Sequence, residues 1–158
     1  MKILVISDTH GKHANFDAVL EKEGKIDLLI HAGDVEDATY IESMVNCPIH
    51  MVGGNNDYFS FLPKEKEFFI GPHRVFLTHG HMYHLYMNTE RLRYAGVQRK
   101  ADIIIFGHTH QPKIEEVNGI LLINPGSLSE PRQRGREATY VILELDKVGE
   151  IHCELRTI

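Results

Sequence analysis

Five short apolar runs recur along the chain, and each stops at residues able to bind a metal ion: ILVISDTH, LLIHAGD, IHMVGGNND, RVFLTHGH and IIIFGHTH. Apolar runs bounded by Gly and polar residues have the character of strands buried on both faces. The pattern predicts strands over 2–7, 28–32, 49–52, 66–70, 74–78 and 102–106. Helical spacing appears between them. Phe16, Val19 and Leu20 follow a candidate N-cap, Asn15, and precede a terminating Gly24. Ile41, Met44 and Val45 follow Asp37, itself a candidate N-cap, and Pro48 closes that helix. A longer helix is predicted over 85–99, with Leu85, Leu92, Ala95 and Gly96 facing inward.

The tail changes character. Asn118-Gly119 between apolar stretches signals a tight hairpin, and strands are predicted over 138–145 and 150–156. Alternating strand and helix followed by a strand-rich tail predicts two packed mixed sheets with helices outside. That is a four-layer α/β/β/α sandwich, in one domain spanning 1–158. The stretch 58–63 reads as an apolar loop.

Composition narrows the class. An apolar content of 42% and a charged content of 25% in 158 residues are those of a globule with a real core. A net charge of −5 argues against a general nucleic-acid surface. No run reaches the length of a membrane span, and the apolar run at the N-terminus is too short for a signal-peptide core. A cytoplasmic protein is therefore expected. Cys47 and Cys153 lack metal-ligand spacing and read as small buried hydrophobes, Cys153 sharing a strand face with Ile151 and Leu155.

The candidate chemistry sits at the strand ends, where open α/β sheets bind ligands. Asp8 and His10 are two apart, so on a straight strand both would point to one side and reach one ion. His108 and His110 repeat that spacing, with Gly107 allowing a tight turn. Asp34 offers two oxygens able to bridge cations, and Asn55 and His79 complete a set of seven donors. Carboxylate, imidazole and amide ligands in that number exceed the needs of one ion and suggest a two-metal site. Nitrogen and oxygen donors without thiolate suit Mn²⁺, Fe²⁺, Co²⁺, Ni²⁺ or Zn²⁺.

The ordered set DTH, GDVED, GNND, THGH and GHTH resembles the calcineurin-like metallophosphoesterases. The short length and NPGSLSEPR over 124–132 resemble the small YfcE-type phosphodiesterase branch. The resemblance implies that Asp8, His10, Asp34 and His110 hold one ion. It implies that Asp34, Asn55, His79 and His108 hold a second, with Asp34 bridging and Mn²⁺ the first choice of metal. It further implies hydrolysis of phosphodiesters by a metal-bridging hydroxide, with no protein nucleophile. One departure stands out. Many members carry GNH, whereas this chain has Asn56, and an amide is no general acid. His81 or a metal-bound water is then the alternative source of a proton. The expected catalytic set is Asp34, Asn55 and His81, and the expected substrate contacts are Asn55, Asn56 and Arg132.

Two divalent ions, two carboxylates and a hydroxide leave a net charge of about +1, which leans toward a diester monoanion. Without room for a large cap, the site is expected to be open and to take small diesters. A phosphomonoesterase or nucleotidase with the same site remains an alternative. So does a protein-binding scaffold like the retromer subunit of this fold, whose metal residues are partly replaced. Neither general nucleic-acid binding nor a membrane partner is expected. A homo-oligomer is possible: the loop 58–63, with Tyr83, Tyr86 and Met87, fits a dimer interface or a substrate rim. Asp57 is a candidate support for a ligand, Asn124 and Ser127 for a Gly-Pro turn near the site, and His31 for a packed core residue. Arg134 and Arg136 join Arg132 in a solvated cluster.

Overall fold

In the computed structural model, which describes residues 1–158, β1 (Lys2–Ile6) and β2 (Leu28–His31) lie side by side and parallel. Their register runs from Ile3 opposite Leu28 to Ile6 opposite His31. The crossover between them is α1 (Ala14–Glu23), ended by Gly24 at φ +64°. A second crossover, α2 (Ala38–Met44), leads to β3 (Ile49–Met51), parallel to β2. Parallel strands joined by crossover helices leave their carboxyl ends at one edge, and that edge carries the loops of the candidate site.

The second sheet begins with an antiparallel pair, β4 (Glu65–Ile70) and β5 (His73–Thr78). Helix α3 (Glu90–Gln98) then crosses to β6 (Ile103–Ile105), which is parallel to β5. The strands β7 (Lys113–Val117) and β8 (Ile120–Asn124) form the hairpin turned by Asn118 at φ +53° and Gly119 at φ +77°. The chain then returns to the first sheet as β9 (Thr139–Leu145) and β10 (Ile151–Thr157), both antiparallel. The strand orders are β10-β9-β1-β2-β3 and β4-β5-β6-β8-β7. Both sheets are mixed.

Burial explains why the strands read as unbroken apolar runs. In β1, Ile3 and Val5 face Val75, Leu77, Ile105 and Ile123 of the other sheet. Leu4 and Ile6 point the opposite way, onto Phe16, Val19 and Ile41 of the first two helices. On the far side, Phe76, Ile104 and Leu122 meet Leu92 and Ala95 of α3. Three apolar layers therefore separate four layers of structure, the predicted α/β/β/α sandwich. No helix is long and apolar enough to cross a membrane.

Several local expectations are corrected. Asn15 lies inside α1 and caps nothing; its amide donates to Leu128 O at 2.5 Å, tying the helix to the β8–β9 loop. Asp37 does cap α2, accepting from Tyr40 N. Met44 is exposed, so the inward stripe of α2 rests on Ile41 with Val45 beyond the helix. The third helix starts at Glu90, where Asn88 Oδ1 takes the Glu90 N–H. Upstream, a 3-10 turn at His81–Tyr83 and a left-handed His84 interrupt the helical path. Leu85 is buried in that irregular stretch. Both cysteines are free and only half-buried, Cys47 on the turn between α2 and β3 and Cys153 on the edge strand β10, where Leu155 is exposed.

Glu23 joins α1 to the first sheet. Its carboxylate accepts from Tyr140 Oη at 2.6 Å, from Lys2 Nζ at 2.7 Å and from Arg156 Nη1 at 2.8 Å. Burial alone would raise its pKa, but these donors outweigh it and hold the carboxyl down at about 2. The stabilisation is thus complete above the ordinary value of 4.5 and lost as pH falls toward about 2. Glu23→Gln is expected to cost about 1–3 kcal/mol at pH 7. Thermal melts across pH should show the gap between wild type and variant closing as the buffer is taken from pH 5 toward pH 2.

Candidate metal centre

The donor side chains stand on loops just past the strands. Asp8, His10, Asp34, His108 and His110 all have left-handed backbones, with φ of +53°, +48°, +51°, +69° and +57°. Strand alternation therefore does not align Asp8 with His10 or His108 with His110, contrary to the straight-strand expectation. Each such residue costs on the order of 1–3 kcal/mol and persists only where its surroundings fix it. Asp8 N donates to Gly33 O and His10 N to Asp34 O, both at 3.0 Å, which locks the first two loops together. Ser127 Oγ and Ser129 Oγ both donate to Asp8 O, at 2.8 and 2.9 Å. Asn124 Nδ2 donates to Gly107 O and Thr109 Oγ1, holding the loop that bears His108 and His110. Asn124 and Ser127 thus brace the site as well as forming a turn.

Two glycines allow close approach. A Cβ on Gly107 would lie 2.0 Å from Ser7 Oγ and 2.8 Å from Asp8 Oδ2. One on Gly54 would lie 2.1 Å from Asp34 Oδ1. Gly107 is needed for space beside Asp8, not for the tight turn the sequence suggested. Asp57, buried, accepts from Val35 N, Glu36 N and Gly54 N, at 3.1, 2.7 and 2.8 Å. One carboxylate thereby fixes the loop of Asp34 against the loop of Asn55.

The side chains converge. Donor atoms of Asp8, His10, Asp34 and His110 all lie within 4.8 Å of one another. His110 Nε2 is 3.1 Å from Asp8 Oδ1, and His10 Nε2 is 3.4 Å from His110 Nε2 and 3.8 Å from Asp34 Oδ2. His79 Nε2 lies 3.4 Å from Asp34 Oδ2 and 4.0 Å from Asp8 Oδ1. Asn55 Oδ1 is 3.1 Å from His79 Nε2, and the His108 ring is centred 5.2 Å from that of His79. His108 and His110 therefore diverge, one toward His79 and the other toward Asp8.

Three imidazoles share one arrangement. Nδ1 of His79 faces Ala32 O at 2.8 Å, Nδ1 of His110 faces Glu130 O at 2.7 Å, and Nδ1 of His10 faces Glu36 Oε1 at 2.7 Å. Each acceptor holds the proton on Nδ1 and leaves an Nε2 lone pair aimed at the carboxylates. Asp8 Oδ1 is buried and accepts no hydrogen bond. Converging lone pairs around an unpartnered buried carboxylate oxygen fit a divalent cation.

The electrostatics show a proton competing with a cation for those Nε2 lone pairs. Burial favours a neutral Asp34, yet the hydrogen bond and charge of His79 prevail and hold its carboxyl below the usual range. Burial would likewise lower His79 and His110, but Asp34 and Asp8 beside them raise both. His108 lacks such a partner, and burial, with His79 nearby, takes it to about 4.

The remaining expected site residues are placed as follows. Asn56 turns to Asp34, donating from N and from Nδ2 at 2.8 and 2.9 Å. His81 is centred 5.5 Å from His79 and 6.2 Å from His108, with a buried Nδ1 that has no partner. Arg132 is exposed, anchored through its N–H to His110 O, with Nη1 3.4 Å from Tyr86 Oη. Tyr86 in turn stands edge-on to His108 at 5.1 Å. Tyr58, Phe59 and Phe61 project into solvent from the loop following Asp57.

Sequence reading missed Glu36 as a participant and took His31 for a packed core residue, which it is. Glu36 sits inside GDVED, but only the fold brings it to His10. His31, fully buried, accepts from Gly33 N at Nδ1 and reaches Thr9 Oγ1 through Nε2 at 3.0 Å. Burial lowers it to about 4, so it serves as a neutral strut between the first two loops. Asp57→Ala leaves three amides, those of Val35 and Gly54 buried, without their acceptor and is expected to destabilise by about 2–5 kcal/mol. Urea unfolding curves check the magnitude, and native metal content checks the accompanying loss of site order.

Comparison with known proteins adds a lineage. The model of the calcineurin-like phosphoesterase superfamily domain matches residues 1–148. The probable metallophosphoesterase YsnB of Bacillus subtilis is 35% identical, over 92% of this chain and 85% of its own. Phosphodiesterase YfcE of Escherichia coli is 28% identical, over 96% and 91%. The crystal structure of wild-type Vps29 from Entamoeba histolytica in complex with Zn²⁺ superposes with a TM-score of 0.79 at 25% identity, covering 99% of each chain.

Proposed function

This chain belongs to the calcineurin-like phosphoesterase superfamily, and we propose that it is a phosphodiesterase working with two divalent metal ions. The observation that carries the reading is the set of three imidazoles with Nδ1 engaged and Nε2 turned toward Asp8 and Asp34. In this reading Asp8, His10, Asp34 and His110 hold one ion, and Asp34, Asn55, His79 and His108 the other. The phosphodiesterase name of the YfcE relative supports the reaction class; the oxygen and nitrogen donors suit Mn²⁺, Fe²⁺, Co²⁺, Ni²⁺ or Zn²⁺, and the family resemblance makes Mn²⁺ the first choice.

When bound, such a pair of ions lowers the pKa of water enough to supply hydroxide at neutral pH and clamps the phosphoryl oxygens for in-line displacement. The chain does the rest. Asn55, beside His79, orients a phosphoryl oxygen through its amide. Asn56 donates to both oxygens of Asp34 and fixes the orientation of the carboxylate that would be shared by the two ions. Arg132 is anchored at His110 with its guanidinium free of any carboxylate, and is assigned to the phosphodiester anion. His81, on the side of His79 and His108, is assigned to the leaving oxygen. The partner in this reading is a small diester, held in an open site between loops.

With Mn²⁺ added, bis-p-nitrophenyl phosphate is expected to turn over faster than p-nitrophenyl phosphate, and Asp34→Ala to fall to background on both. The reverse order of rates would make the protein a phosphomonoesterase. A purified protein that retains no transition metal and hydrolyses neither ester would favour a binding role like that of a scaffold. Asn56→His is expected to shift relative rates among diesters of different leaving-group pKa while leaving metal content near the wild-type level. An unchanged profile in that variant would remove Asn56 from the account of leaving-group preference.

A further inference from the structure

Of the four proposed ligand imidazoles, the three with an engaged Nδ1 are not backed alike. His79 and His110 each give their Nδ1 proton to a backbone carbonyl, a neutral acceptor fixed by the fold. His10 alone meets a carboxylate, Glu36 Oε1 at 2.7 Å. The Glu36 side chain is 39% exposed, whereas that of His10 is 9% exposed. A carboxylate behind an imidazole pulls on the Nδ1 proton and makes Nε2 the better electron donor, and it also fixes the ring plane.

The backbone shows that this contact is imposed. Glu36 has φ +60°, a left-handed conformation unfavourable for a glutamate. Its amide makes the shortest of the three hydrogen bonds accepted by buried Asp57, at 2.7 Å. Gly11 N donates to Val35 O at 3.0 Å, so the strand-end loop of His10 lies directly against the segment preceding Glu36. Asp57 fixes the backbone of Glu36, and Glu36 fixes the ring of His10. A residue with no ion pair to any lysine or arginine is held in a strained turn, pointing at one imidazole.

We infer that Glu36 is a positioning residue that sets the affinity of one metal position, the one formed by Asp8, His10, Asp34 and His110, and leaves the other unaffected. The inference rests on the two-ion reading given above. The consequence is an unequal pair. One position draws on a side chain at the surface as well as on the carbonyl behind His110, and the other, through His79, on buried backbone.

The test is Mn²⁺ binding to the metal-stripped full chain, followed by isothermal titration calorimetry and by the loss of the free-ion electron paramagnetic resonance signal. Wild type, Glu36→Ala and Glu36→Gln are compared, with thermal melts to show that all three fold. Two sites are expected in wild type. In Glu36→Ala one dissociation constant should rise by about 10–100-fold and the other stay in place. Glu36→Gln keeps an oxygen for the Nδ1 proton but no charge, and should fall between. Identical titrations for wild type and Glu36→Ala would overturn the inference, and so would equal weakening at both sites. Absence of Mn²⁺ binding in wild type itself would instead overturn the underlying two-ion reading, so the two failures are distinguishable.

Discussion

Two carboxylates, Asp8 and Asp34, are buried within a few ångströms of the same imidazoles, with almost no access to water. Buried like charges this close are untenable unless positive charge is placed between or beside them. That constraint organises the molecule around it. The imidazoles must be near, their Nδ1 protons must be given elsewhere, and the loops must be held at separations that a side chain on Gly54 or Gly107 would prevent. Parallel strands provide the frame, because they deliver several loops to one edge in fixed register.

The site is stabilised by loops that hold one another. Asp57 binds the Asp34 loop to the Asn55 loop, His31 and Thr9 bind the first two loops, and Ser127 and Asn124 reach from the β8–β9 segment to Asp8 and Gly107. Most of these contacts are hydrogen bonds to backbone groups, so they fix main-chain geometry instead of merely neutralising charge. This is how five left-handed donor residues are kept in place at once. The apolar layers beneath offset the cost of that strain through burial that makes no contact with the chemistry.

Much of this was legible in the chain. The apolar runs located the strands to within a residue or two, and the Asn118-Gly119 pair located a hairpin. The seven candidate donors were visible because each follows such a run. The boundary of α3 was not, because the helical spacing of Leu85 with Leu92 continues through a stretch whose local geometry is a 3-10 turn and a left-handed His84. Asn15 had the composition of a cap, but the β8–β9 loop captures its amide. The alignment of Asp8 with His10 was anticipated through strand alternation, whereas the residues are turned by positive φ.

By itself, then, the sequence determined which residues are apolar on both faces, which elements those runs become, and which donor types stand at their ends. These are local properties, set by side-chain chemistry and by spacing within a few residues. Only the tertiary structure decided that His108 and His110 part company, that Asn56 binds Asp34, that Gly107 is required for space and that Glu36 backs His10. Each of those depends on loops from different strands meeting in one register, and no periodicity along a single segment encodes the distance between them.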